Sequence, residues 1–278
     1  MVDIITAKQQ IGGTNMAETL LNRRRDPLRR FRGKSPHCSA DVLKWLGLVC
    51  VLMGTFSRGV LQLGMLHLQE YTSDALYSAV EAGSDFFGYA TWAVLLSLLS
   101  VLALPIFAKL LYEGWRNTSN AKRYLLRLLA CALISEIPYD LVNYGSWLDW
   151  TEQNPVWGLA LSLVMLKILQ ECEKLNGVAK FLVKALVVFA ACLWAMIIRS
   201  QLGVFLVLLV AIFYLLSTHK IAMTLVGIVL CLIQFPAPFG MIFVHWYDGK
   251  KGKAPRWWFY VLYPAQLLLF GVWGMLLA

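Results

Sequence analysis

The chain has 278 residues, of which 59% are hydrophobic and only 15% charged, and its net charge is +9. Soluble globular proteins carry about 25% charged residues, so these few cannot cover the surface of a water-soluble particle. The composition excludes a soluble enzyme and leaves an all-α, polytopic membrane helix bundle over residues 41–278, with short loops, behind a basic arm at 1–40.

In the arm, Arg23, Arg24, Arg25, Arg29, Arg30, Arg32 and Lys34 stand just before the first apolar run. Gly12, Gly13 and the charge run argue against a packed core there, so the arm reads as flexible. Such a cluster suits nucleic acid. Beside a membrane helix the stronger reading is an orientation signal, held in the cytoplasm and anchored to anionic lipid.

Spanning the bilayer takes about 20 apolar residues. Segments 43–66, 88–112, 122–143, 155–171, 179–198, 202–217, 221–245 and 257–277 meet or approach that length, which predicts about eight transmembrane helices. The loops alternate in charge through the first five segments. Loop 67–87 holds Glu70, Asp74, Glu81 and Asp85; the next turn holds Arg116, Lys122 and Arg123. Asp149 and Glu152 follow, then Lys174, Lys180 and Lys184. Eight simple crossings would then put Lys250, Lys251, Lys253 and Arg256 outside, against the rule that basic loops stay in. Either segment 221–245, interrupted by Pro236 and Pro238, does not cross once, or the last loop is basic because it binds an anion.

Ionisable groups within membrane segments are costly unless paired or wetted. Arg58, at a depth similar to Glu136 and Asp140, is expected to pair with those carboxylates, or to line a polar pocket with them. Lys109 and Glu113, four apart, form a helical pair. Arg127 lies one turn into the third segment and is expected to snorkel. His245, shortly before Asp248, is a candidate base. The six cysteines form no CxxC pair and mostly sit in apolar runs, so neither a disulfide framework nor a metal site is expected.

Pro105-Ile106-Phe107, Tyr112-Glu113-Gly114, Asn117-Thr118, Asn120 and Arg123 to Leu128 stand in order, followed by Ile134 to Leu141 and Asn154. Together they resemble the core signature of the TraX family. Tyr247 to Gly252 is similar to that family's Tyr-Asn-Gly-Lys-Arg-Gly loop, and Phe259-Tyr260 with Tyr263-Pro264 to its closing motif. The resemblance runs over about 43–277. It implies a bacterial inner-membrane acyltransferase that uses acetyl-CoA, with an amine or hydroxyl of a protein or glycan as acceptor. Glu113 and His245 become the candidate catalytic residues. Asn117, Arg127, Glu136, Asp140, Asn154, Asp248, Lys250, Lys251, Tyr263 and Gln266 become candidates for holding donor or substrate.

The chain departs from that pattern. Gly54 and Thr55 stand where the family has Asp-His, Val101 where an Arg is expected, and Gln266 where the closing motif has His. A carboxamide cannot take a proton as an imidazole can. The alternative is therefore a non-catalytic relative serving as a membrane assembly or binding partner. A transporter is the third reading, with no inverted repeat behind it.

Overall fold

The computed structural model describes residues 38–68, 84–250, 252 and 256–278. Nearly all of the basic arm, most of the acidic 67–87 loop, and Lys251 lie outside the described residues. Among those described, the secondary structure is helical, with two isolated bridges and no strand.

Helix α1, Ala40–Phe56, runs on as a π-helix over Ser57–Met65. Helices α2, Ser84–Val101, and α3, Ala103–Arg116, form one bent rod. The bend falls where Pro105 has no N–H to offer the carbonyl of Val101. Helix α4 spans Ala121–Tyr144; the Asn120 side chain accepts from the Arg123 N–H at 3.0 Å to start it, and Gly145 at φ 65° ends it. Then come α5, Val156–Glu171, α6, Gly177–Ile197, and α7, Gly203–Leu215. Helices α8, Lys220–Cys231, α9, Ala237–Trp246, and α10, Arg256–Leu277, complete the chain.

Each of the eight expected segments is helical, but only four stretches are long and apolar enough to cross a membrane by length and composition. These are Ala40–Met65, Phe86–Arg116, Gly177–Ile197 and Trp257–Leu277. Helix α4 has the length, at 24 residues, but carries Lys122, Arg123, Arg127, Glu136 and Asp140. Helices α5 and α7 have 16 and 13 residues. Val178, Phe181, Leu182, Leu186 and Phe189 of α6 are all exposed, as are Ile221, Leu225 and Val229 of α8. Apolar surface on that scale belongs against lipid, and the chain is an integral membrane protein.

The seventh expected segment is two helices. Pro236 and Pro238 interrupt it, and α9 turns back along α8. Thr224 near the start of α8 hydrogen-bonds His245 near the end of α9 at 3.0 Å, so the pair is an antiparallel hairpin that enters and leaves at one end of the bundle. Other contacts define that end. The Cys38 N–H donates to the Trp246 carbonyl at 3.2 Å and the Asp248 N–H to the Cys38 carbonyl at 3.1 Å. Trp115 packs edge-on against Tyr214 with ring centres 5.6 Å apart, and the Tyr214 hydroxyl donates to Glu173 at 3.1 Å. Glu173, in the turn between α5 and α6, is also held by Lys180 and Lys184, which push its carboxyl down to about 2.

The main core joins α3, α4, α5, α7 and the hairpin through Leu166, Val207, Leu209, Phe213 and Met241, none of them exposed. Helix α10 lies along α4 and the π-helix. There Gly59 and Gly274 meet so closely that a Cβ on Gly274 would sit 2.0 Å from the Gly59 carbonyl oxygen. Close backbone approach at small residues is how membrane helices gain packing without a hydrophobic drive.

Candidate functional site

A cavity of about 400 Å³ lies among α1, α3, α4 and α10. It runs the length of α1 from Lys44 to Arg58, which is roughly 20 Å at 1.5 Å per residue. One end is a mouth beside the start of α1, the middle is walled by Leu48, Leu104, Phe107 and Leu128, and the far end is polar again.

At the mouth, α3 delivers Glu113. Its Oε1 pairs with Lys109 Nζ at 3.0 Å, one turn back on the same face, and both side chains are 9% exposed. Lys109 also lies 4.9 Å from the Tyr112 ring and 5.5 Å from that of Phe213. Glu113 Oε2 has no hydrogen-bond partner among the described residues, and the Arg116 guanidinium is 3.6 Å from it. One carboxylate oxygen is thus anchored by Lys109, and the other, without a hydrogen bond among the described residues, faces Arg116. Asn117 ends α3 by donating from its side chain to the Glu113 carbonyl at 2.8 Å.

Arg127 and Tyr124 bring α4 to the same mouth, and Arg127 meets no carboxylate within hydrogen-bonding reach among the described residues. The last loop completes it. The Ala40 N–H donates to the Lys250 carbonyl at 3.2 Å, and Asp248 Oδ1 accepts from the Lys250 N–H at 2.9 Å around Gly249, whose φ is 77°. Tyr247 and Gly252 line the cavity; Asp248 and Lys250, paired at 3.4 Å, frame the loop behind them. Phe259, Tyr260 and Tyr263 of α10 form the remaining wall.

At the far end, Arg58 stands in the first turn of the π-helix. Its Nη1 donates to Asn143 Oδ1 at 3.0 Å and to Gln201 Oε1 at 3.3 Å. The expected pairing of Arg58 with Glu136 and Asp140 is overturned: both acceptors are neutral amides. Similar depth does not bring the groups together, because the two carboxylates turn towards α5 and the loop before it. Glu136 accepts from Trp157 Nε1 at 2.8 Å and from the Asn154 side chain. Asp140 Oδ2 accepts from the Asp149 N–H at 3.0 Å. Asn154, with no exposure, donates to the Ala132 carbonyl at 2.8 Å and accepts from the Val156 N–H at 3.0 Å. These three residues tie α4 to the start of α5 and do not line the cavity.

His245 and Gln266 are not brought to the cavity either. His245 sits in the hairpin against Thr224. Gln266 is buried on α10 with neither amide atom hydrogen-bonded among the described residues. Among the sequence candidates, Glu113, Asn117, Arg127 and Tyr263 line the cavity, with Asp248 and Lys250 beside it; Lys251 lies outside the described residues. Sequence reasoning missed Lys44, Tyr124, Tyr139 and Gln201. Tyr139 lies within the Ile134–Leu141 stretch of the signature, next to the Asp140 carboxylate.

A model of the family described as TraX protein matches residues 39–273, nearly all of the chain beyond the arm. The chain belongs to the TraX family. No curated protein and no solved structure gives a match. In this TraX-family chain the blocks that carry the signature lie far apart in sequence. Glu113 and Asn117 come from α3, Tyr124 and Arg127 from α4, Tyr247 and Gly252 from the last loop, and Tyr260 and Tyr263 from α10. All of them line one cavity.

Proposed function

We propose that this TraX-family protein is a membrane acyltransferase that moves an acetyl or similar acyl group from acetyl-CoA to an amine or hydroxyl of a protein or glycan. The observation behind the reading is that convergence of the signature residues on one mouth. Arg127 and Lys44 suit the phosphates of the donor, whose nucleotide would stay outside. The acceptor nitrogen or oxygen attacks the thioester carbonyl, the C–S bond breaks, and CoA leaves as thiolate. The proton released by the acceptor passes to Glu113 Oε2, and Lys109 holds the other carboxylate oxygen in place. The donor comes from the cytoplasm, so the mouth faces inward. That agrees with a cytoplasmic amino-terminal arm on anionic lipid and with residence in a bacterial inner membrane.

The test is CoA release by the purified protein across candidate amines and alcohols. Glu113→Gln is expected to lower kcat by roughly 100-fold or more while acetyl-CoA still binds. His245→Ala, outside the cavity, is expected to stay near wild type. No CoA release with any acceptor, together with no acetyl-CoA binding, sinks the reading. One observation favours a second reading, a non-catalytic relative: among the described residues no histidine lines the cavity. Acetyl-CoA binding without turnover on any acceptor would select it.

A further inference from the structure

We infer that the far end of the cavity binds the anionic head of a single-chain amphiphile, a carboxylate or phosphate held by Arg58. The assignment goes beyond acyl transfer, because it concerns binding and would hold equally for a relative that has lost its chemistry.

A guanidinium inside a membrane bundle needs an anion or water. Arg58 has no carboxylate within 4.0 Å among the described residues; its side-chain bonds are to the amide oxygens of Asn143 and Gln201. Among the described residues, neutral acceptors orient it and none offsets its charge. Both bonds use Nη1, so the rest of the fork remains for a bidentate oxyanion.

A second group points to the same ligand. Tyr139 lines the cavity, is 2% exposed, and its hydroxyl has no hydrogen-bond partner among the described residues. Asn143, which accepts from Arg58, stands one turn on from Tyr139 and donates to its carbonyl at 2.8 Å. A buried hydroxyl left without a partner is costly, and an oxyanion seated on Arg58 would satisfy it. The backbone around Arg58 is itself unusual. Ser57–Met65 is π-helical, a rare departure that is frequent at functional sites. It is fastened from outside the cavity by Ser57, which donates to the Ala93 carbonyl at 2.6 Å, and by Gln62, which donates to Ser57 and Ser97 at 3.0 and 3.1 Å.

The walls next to this end select the rest of the ligand. Val51, Leu267 and Val142 line the cavity near Arg58, and Leu48, Leu104 and Phe107 continue it towards the mouth. A volume of about 400 Å³ drawn out over such a length suits an aliphatic chain better than a ring system.

The experiment measures equilibrium binding of radiolabelled dodecyl phosphate, dodecanoate and dodecanol to the full chain in neutral detergent, with thermal melting as the folding control. Wild type is expected to prefer at least one anion to the alcohol, and comparing phosphate with carboxylate tells which head it takes. Arg58→Gln is expected to weaken the preferred anion roughly tenfold to a hundredfold and leave dodecanol unchanged. Tyr139→Phe removes one oxygen from a folded cavity and is expected to weaken the same anion by roughly fivefold. Equal binding of anions and alcohol by wild type overturns the proposal, as does a folded Arg58→Gln that binds anions like wild type. Should Arg58→Gln fail to fold, an unchanged anion affinity in Tyr139→Phe overturns it. Acetyl-CoA takes no part in this assay, so a negative turnover result leaves the assignment standing, and the reverse holds too.

Discussion

Asn154 does the work of three partners from one buried position. Its side chain joins the Ala132 carbonyl, the Glu136 carboxylate and the first free N–H of α5. Asn154→Ala would leave the Val156 N–H unpaired in a bundle with little water and remove a second bond from the Ala132 carbonyl, at a cost of about 1–3 kcal/mol. The expected outcome is a clearly lowered melting temperature in neutral detergent with acetyl-CoA binding retained, since the residue does not touch the cavity. A change in binding with no change in melting would count against this structural role. The sequence singled out Asn154, Glu136 and Asp140 as ionisable or motif residues within apolar surroundings, and each is buried or half-buried as that implies. It could not say which way they turn. Helical rise places Arg58 and Glu136 at one depth, but Arg58 meets Asn143, about two turns beyond Glu136, and Gln201 from another loop. Depth along a helix is readable from residue count; the azimuth facing a distant helix depends on tertiary packing.

Among the elements, hydropathy found helix in each of the eight expected segments, though only four stretches are long and apolar enough to cross a bilayer. It also exposed the break at Pro236 and Pro238, since proline removes backbone donors. The π-helix had no such signal. Its residues read like the α-helical turns before it, and what accompanies the extra width is a set of side-chain bonds to α2 that no local pattern announces. The crossing of α10 over this π-helix was equally silent, because Gly59, Gly64 and Gly274 look ordinary until they meet. Gly274→Val would drive a branched side chain into the Gly59 carbonyl and separate the two helices. We expect a large drop in melting temperature for Gly274→Val and a smaller one for Gly274→Ala. A Gly274→Val protein as stable as wild type would show that the close approach is dispensable.

For the whole molecule, the hairpin of α8 and α9 offers a way out of the conflict between charge and crossing number. Were the hairpin re-entrant and the other seven segments single crossings, the basic loop with Lys250 would share a side with the α3–α4 turn. Asp149 would fall on the opposite side. Single cysteines at 149 and 250, labelled by an impermeant maleimide in oriented membranes, are therefore expected to react from opposite faces. Labelling from one face would restore eight simple crossings and move the mouth away from a cytoplasmic donor. Irregular backbone at the hairpin tip is tolerable where protein surrounds it. Pro105 and Leu102 of the bent α2–α3 rod stand against Gly240 there.

The bonds between residues 38–40 and residues 246–250 carry a consequence for biosynthesis. The chain emerges from the ribosome amino terminus first, so α1 is in place long before the segment that pairs with its leading edge. Until then the Cys38 and Ala40 amides and the Cys38 carbonyl have no backbone partner of this kind. The pocket's rim is consequently among the last features to form, and a polypeptide arrested before the final loop would hold every helix of the central core without a finished entrance.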